Sequence, residues 1–222
     1  ELASCVVVMM AAVVQFGGVR QIKRIRWIWL ILVVVVIGFW TGHFVSISLI
    51  AGWSAEGVAW RVAPGLALVA AAAFLFPMLT KQNLYCNHLC PHGAVQQLVK
   101  PSGHSPRRRR LNATVANWFR QVPGIVLVCA YVAIVLRPSI ELSNWEPFHA
   151  YLFRIASWSS LVFAGLSLLV AAILPMAYCR FGCPTGRLLD YLRFNARSGS
   201  LKRADLVVLV LVLFATIAKL VD

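Results

Sequence analysis

Charge is what this sequence has least of. Only 13% of its 222 residues are Asp, Glu, Lys or Arg, while 60% are hydrophobic; a soluble domain carries about a quarter charged residues. No polar stretch is long enough for a second, soluble domain, and the mean hydropathy is +0.79. Both absences argue against a water-soluble fold and lead us to expect one polytopic membrane domain over residues 1–222. Acidic residues are scarcer still, 7 against 21 Lys and Arg, leaving a net charge of +14. On a soluble protein that excess would point to nucleic acid. Here the basic residues sit in short islands between apolar runs, Arg107 to Arg110 included. They read as topology signals facing anionic membrane lipids, and nucleic acid is not expected as a partner.

Strands are also not expected, because the Val-rich runs are too long and only helices or closed barrels satisfy their own backbone in hydrocarbon. Six apolar segments can be marked: Leu2–Phe16, Trp27–Ala51, Val62–Leu79, Val122–Leu136, Ile155–Ala177 and Leu206–Val221. A crossing helix needs roughly 20 residues, so the fourth segment extends back to Trp118 and the sixth to about residue 204. The fold class is thus an all-α integral membrane protein of six transmembrane helices. Of the 21 Lys and Arg, all but Arg61, Arg137, Arg154 and Lys219 then fall on one side. The positive-inside rule makes that side cytoplasmic, which places both chain ends outside. The chain opens at Glu1 rather than Met, with a short first apolar run and no signal-peptide pattern; it is expected to be a piece of something longer.

Cysteine is sparse, 6 residues, and four of them lie in two related stretches. Tyr85 to Gly93 reads YCNHLCPHG, and Tyr178 to Gly186 reads YCRFGCPTG. Each follows an inward-running span, so Cys86, Cys90, Cys179 and Cys183 are expected on the cytoplasmic side. Spans two and three with the first motif look like one unit, and spans four and five with the second like its copy. An internal parallel repeat of this kind would bring the two pairs towards each other. Pro91 and Pro184 suit the first position of a helix, which would set Cys90 and Cys183 where the helix dipole favours thiolate.

Three chemistries compete for four such thiols. A disulfide is disfavoured in a reducing compartment. Structural zinc accepts four cysteines but prefers tight knuckles. An iron–sulfur cluster, 4Fe–4S or 2Fe–2S, suits four thiolates and a Cys-Pro sequence. Cys5 and Cys129 read as small buried apolar residues.

The paired C-x3-C-P motifs, each at the inner end of a span and each followed by glycine, resemble the NosR/NapH family of respiratory membrane electron-transfer proteins. The resemblance runs from the second span to the sixth. It implies a 4Fe–4S cluster on Cys86, Cys90, Cys179 and Cys183 in a bacterial cytoplasmic (inner) membrane. It also implies electron traffic between the quinone pool and an outer-side acceptor, as one component of a quinol-linked oxidoreductase with other subunits. Larger members carry an outer flavin-binding domain and a ferredoxin domain; neither is present here, and a flavin domain ahead of residue 1 is the expectation that follows.

Histidines supply the remaining candidates. An inner-face cluster would stand about 30 Å from the outer face, so a further carrier is expected. His43 and His149 could hold haem b or hydrogen-bond a quinone, and Glu146 could take a quinol proton. The bland alternative makes both histidines ordinary buried or interfacial residues. His88 and His92, inside the first motif, are candidates to tune a cluster or donate to its sulfurs. Ser46, Ser48, Ser159 and Ser160 read as helix-packing groups. The competing function is a non-redox membrane scaffold with zinc or unligated cysteines.

Overall fold

Backbone placed in hydrocarbon must bond to itself, and every regular element of the computed structural model is helical among the residues it describes, which are 2–17, 22–101, 109, 111–137, 145–152, 155–195 and 203–221. The helices are α1 (Leu2–Phe16), α2 (Lys23–Val33), α3 (Ile47–Glu56), α4 (Pro64–Thr80), α5 (Pro91–Val99), α6 (Ala113–Phe119), α7 (Val122–Leu136), α8 (Trp158–Ala171), α9 (Ala177–Phe181), α10 (Pro184–Asn195) and α11 (Arg203–Val221). Wider π-helical turns continue α2 through Val34–Thr41 and precede α5 at Tyr85–Leu89. Arg107, Arg108 and Arg110 of the basic run lie outside the described residues.

Among the described residues, two helical stretches are long and apolar enough to cross a membrane, Lys23–Thr41 and Ala113–Leu136; α1, α4 and α8 are shorter apolar helices. The apolar segments of the sequence and the helices therefore do not coincide. The second segment, 27–51, breaks in the middle: Gly42 turns left-handed at φ +65°, and the chain runs on to Ser46, whose hydroxyl caps α3 by accepting from the Leu49 amide at 3.1 Å. The fifth segment, 155–177, is α8 followed by a turn and Met176 at φ +59°. Hydropathy cannot see such breaks, because a residue that suits lipid suits a protein interior equally well.

Gly42 is required for its break. A Cβ there would lie 2.7 Å from Leu152 Cδ2, on a backbone that disfavours L side chains. Gly42→Ala is expected to cost roughly 1–2 kcal/mol from the left-handed conformation, plus whatever Leu152 must move. A thermal melt in detergent should show a lowered midpoint. Gly52→Ala is the control: it lies within α3 with nothing within 4 Å of its Cβ, and the change should leave the midpoint equal or higher.

Packing draws the two motif arms inward. Helix α2 lies along α5, α1 along α4, and α10 along both α4 and α7. Val33, Ile37, Val69, Ala73, Leu84, Leu89 and Leu189 share one buried core. Polar ties fix the arms: Trp29 Nε1 donates to the His88 carbonyl at 3.2 Å, and the Arg26 guanidinium to Gln97 Oε1 at 2.5 Å. Across the arms, Asn83 Nδ2 donates to Asp190 Oδ1 at 2.6 Å and Arg193 Nε to the Lys81 carbonyl at 2.6 Å. Gly38, in the middle of the second apolar segment, lets Pro91 and the Tyr151 ring approach so closely that a Cβ would sit 3.2 Å from each.

That approach corrects the layout read from the sequence. The motif was expected on one face of the membrane and residues 145–151 on the other, a core thickness apart. Instead His92 Nδ1 and the Tyr151 hydroxyl are 3.0 Å apart. The breaks at Gly42 and Met176 and the irregular 145–152 segment, whose one regular turn is a 3-10 helix at His149–Tyr151, allow loop backbone to enter the bundle, where helix ends and side chains satisfy its polar groups.

Candidate metal centre

The two motifs fold alike. In each, the second cysteine's amide donates back to the tyrosine carbonyl five residues earlier, Cys90 to Tyr85 and Cys183 to Tyr178, at 2.8 Å in both. Proline then starts a helix, α5 or α10, with Cys90 or Cys183 just ahead of it. Their sulfurs accept from the glycine amides three residues on: Gly93 N–Cys90 Sγ is 3.4 Å and Gly186 N–Cys183 Sγ is 3.2 Å. The cysteine side chain thus takes the place of an N-cap oxygen. The expected Pro-initiated helices are present, and they aim their orphan amides at sulfur.

The fold brings all four thiols together. Cys86 feels the charge of Cys90 and of Cys183; Cys179 feels Cys90, Cys183 and Cys86; Cys183 feels Cys90. Every pair among the four is therefore close enough to interact. Burial pushes Cys86 and Cys179 well above the usual thiol range, with neighbouring sulfurs adding to it. Burial likewise raises Cys90 to about 11, against the Gly93 and His92 amides, and Cys183 to about 12. The helix-terminus effect expected to favour thiolate is real but smaller than desolvation. A metal centre held here would need them as thiolates, so its binding would release protons.

The surroundings are dry and aromatic. Phe44 stacks on Phe148 at 5.8 Å, and His92 packs edge-on against Tyr178 at 5.2 Å and Phe148 at 6.3 Å. Gln96, wholly buried, lies towards Cys179 and lowers its pKa slightly, yet neither amide atom reaches hydrogen-bond geometry with the protein. A buried amide in that condition beside the thiols fits a site completed by a further group. Among the described residues, no group of three or more His, Cys, Asp or Glu is arranged to hold a single ion. Four mutually interacting thiols beside an unpartnered buried amide are the donor types that an iron–sulfur cluster takes.

The histidines fare differently from one another. His92 does not reach sulfur with its ring: Nδ1 meets the Tyr151 hydroxyl, Nε2 meets Ser167 Oγ at 2.9 Å, and burial lowers its pKa to about 4. His88 contributes its carbonyl to Trp29 and is buried. His43 Nδ1 is held by Ser4 Oγ at 2.7 Å, tying α1 to the break after α2. His149 packs edge-on to Phe44 at 5.7 Å, lowered in pKa by burial, and borders a cavity of about 320 Å³ with Ser46 and Ser48. Cys5 and Cys129, expected to be buried, are exposed on α1 and α7, outward faces where lipid can cover a small thiol.

Three participants were not legible as site residues: Tyr151, Ser167 and Gln96. Their only signal is spatial. Glu146 has a structural role as well, which the sequence did not signal. Its carboxylate accepts from the Ile47 amide at 2.8 Å and from Ser48 Oγ at 3.2 Å, while its carbonyl accepts from Ser160 Oγ at 2.8 Å. Of the serines read as packing groups, Ser48 and Ser160 thus tie down the strap 145–152, Ser46 caps α3, and Ser159 meets Ser157 at the start of α8.

Comparison with known proteins now bears on the centre. Residues 62–112 and 156–200 each match the family model described as a 4Fe-4S binding domain. Each arm carries that match. The chain is also similar to Protein NirI of Paracoccus denitrificans (strain Pd 1222), 24% identical over 200 residues, covering 80% of this chain and 29% of NirI. It therefore spans under a third of that relative. No solved structure matches. Together these similarities support an iron–sulfur electron-transfer role.

Proposed function

We propose that this chain is a NosR/NapH-type electron-transfer module of a bacterial cytoplasmic membrane. Cys86, Cys90, Cys179 and Cys183 hold one 4Fe–4S cluster, and electrons pass between the quinone pool and a partner subunit. The single observation that carries this is the meeting of two thiol pairs, 93 residues apart in sequence, each pair interacting with the other. When bound, the cluster supplies one-electron redox chemistry. The chain's own part is to hold and insulate it. The Gly93 and Gly186 amides point at two of the sulfurs, and donors to cluster sulfur raise its potential. Phe44, Phe148 and Tyr178 keep water away.

The reading takes the two matched arms as copies of one unit, in a six-crossing bundle with the motifs entered from the cytoplasmic side. Breaks at Gly42 and Met176 are then the irregular backbone that membrane proteins tolerate where it lines a site. In this reading the acceptor would be an outer flavin-bearing or other domain of a larger assembly, on the side that the 145–152 strap faces.

Purified anaerobically, the protein should be brown, bleach with dithionite, and carry about four iron and four sulfide per chain. Half that content would indicate a 2Fe–2S centre. Colourless protein loaded with zinc would overturn the redox reading in favour of a scaffold. A sharp reduced α-band lost on His43→Ala would instead assign haem b.

A further inference from the structure

Gln96 is a polar side chain whose burial its own surroundings do not explain. It sits on α5, six residues after Cys90, and is wholly buried. Neither the oxygen nor the nitrogen of its amide has a hydrogen-bond partner. Leaving such a group dry and unpaired costs roughly 1–3 kcal/mol. Its neighbour Gln97 shows the ordinary arrangement, with its oxygen taken by the Arg26 guanidinium.

The two arms differ at this place. Six residues after Cys183 stands Leu189 on α10, also wholly buried, and it belongs to the common apolar core. Packing therefore does not call for an amide at the position, yet the first arm carries one. The side chain that this amide approaches lies in the other arm. It acts on the Cys179 sulfur as a hydrogen-bonding group, while standing short of the geometry of a made bond. Cys90 and Cys183 accept from the Gly93 and Gly186 amides of their own arms. At Cys179 the hydrogen-bonding group is Gln96, reaching across.

We propose that Gln96 is a positioning residue of the metal centre: its amide N–H donates to the sulfur of Cys179 when that sulfur is a cluster ligand, and this donation raises the reduction potential. The proposal rests on the cluster reading above and adds to it a donor that joins the two arms. A thiol both donates and accepts weakly, whereas a thiolate only accepts. Ligation thus turns Cys179 into the acceptor that the buried amide lacks, and the bond becomes a charge-assisted one. One-electron reduction adds a negative charge to the centre. A donor at a ligand sulfur stabilises that reduced form more than the oxidised one.

The test is a mediated redox titration of the full chain, purified anaerobically in detergent, that follows the visible absorption bleached on reduction. Iron and sulfide are assayed on the same samples. Gln96→Leu gives the first arm the residue that the second arm already has. It is expected to keep its iron and sulfide while the ratio of reduced to oxidised centre at a fixed poise falls about tenfold, a shift of about 59 mV to lower potential for a one-electron couple. Gln97→Leu, which removes the amide held by Arg26, should leave the potential where wild type has it. If Gln96→Leu loses iron, Gln96→Met, closer to glutamine in length and flexibility, replaces it and is read the same way. Unchanged potential in an iron-loaded variant overturns the donor while leaving the cluster intact. An equal shift in Gln97→Leu traces the effect to general loosening of α5 and also overturns it. Loss of iron from both Gln96 variants makes the amide a requirement for assembly rather than for potential, and overturns it too. Wild type that carries no iron removes the cluster reading itself.

Discussion

Replacing Cys86 and Cys179 by serine together is expected to abolish the visible absorption and remove nearly all iron, while the protein stays in the membrane and keeps its helix content. The two changes take one ligand from each arm. Serine is almost the same size but ionises far less readily than a thiol and is a poorer partner for iron. The fold should survive because serine nearly matches cysteine in size and the arms keep their other ties, Asn83 to Asp190 and Arg193 to the Lys81 carbonyl. Iron and sulfide assays with far-ultraviolet circular dichroism check both halves of the expectation. Cys5→Ser with Cys129→Ser is the matched control, since those thiols are exposed on other helices; it should retain full colour. A double arm variant that stays brown would sink the four-cysteine assignment.

Glu146→Ala should be the most damaging change away from the cysteines. Its carboxylate is 4% exposed and serves the first turn of α3, accepting from the Ile47 amide at 2.8 Å, the Ser48 hydroxyl at 3.2 Å and, at longer range, the Ser48 amide at 3.5 Å. Burial raises its pKa and those donors pull it back, so the group costs something to bury and recovers it through its partners. Removing only the carboxylate strands buried donors, each worth roughly 1–3 kcal/mol, and takes a negative charge from a helix N-terminus. The expected loss is about 3 kcal/mol, read as a fall in the thermal midpoint in detergent. Because the same strap carries Phe148 against Phe44 and Tyr151 against His92, iron retention should fall as well. Glu146→Gln keeps an acceptor for Ile47 and should cost clearly less. Equal melting of the alanine variant and wild type would show that the strap is not held this way.

The sequence went far with the centre and less far with the frame around it. Tyr-Cys-x3-Cys-Pro-x-Gly, written twice, specified both cysteine pairs, the Pro-initiated helices behind them and the glycine amides that reach sulfur. Those are local relations, fixed within nine residues by proline geometry and the need to satisfy a helix's first amides. Hydropathy likewise led to helices and no strand, which holds among the described residues. It could not place the ends of helices within apolar runs: nothing in the composition of 27–51 marks Gly42 as left-handed, because the residue that forces the issue, Leu152, lies 110 positions away.

His92 makes the same point within the site. Its place in the motif suggested a donor to sulfur, but the ring turns to Tyr151 and Ser167, partners delivered by the strap and by α8. Glu146 suggested a proton acceptor and is first a cap for α3. What the sequence determined by itself was the chemistry each short segment could offer: paired thiols, helix starts and apolar length. Only the tertiary structure decided which offers meet. Desolvation, hydrogen-bond direction and closeness of approach depend on chain segments about a hundred residues apart, and no local pattern encodes their separation in space.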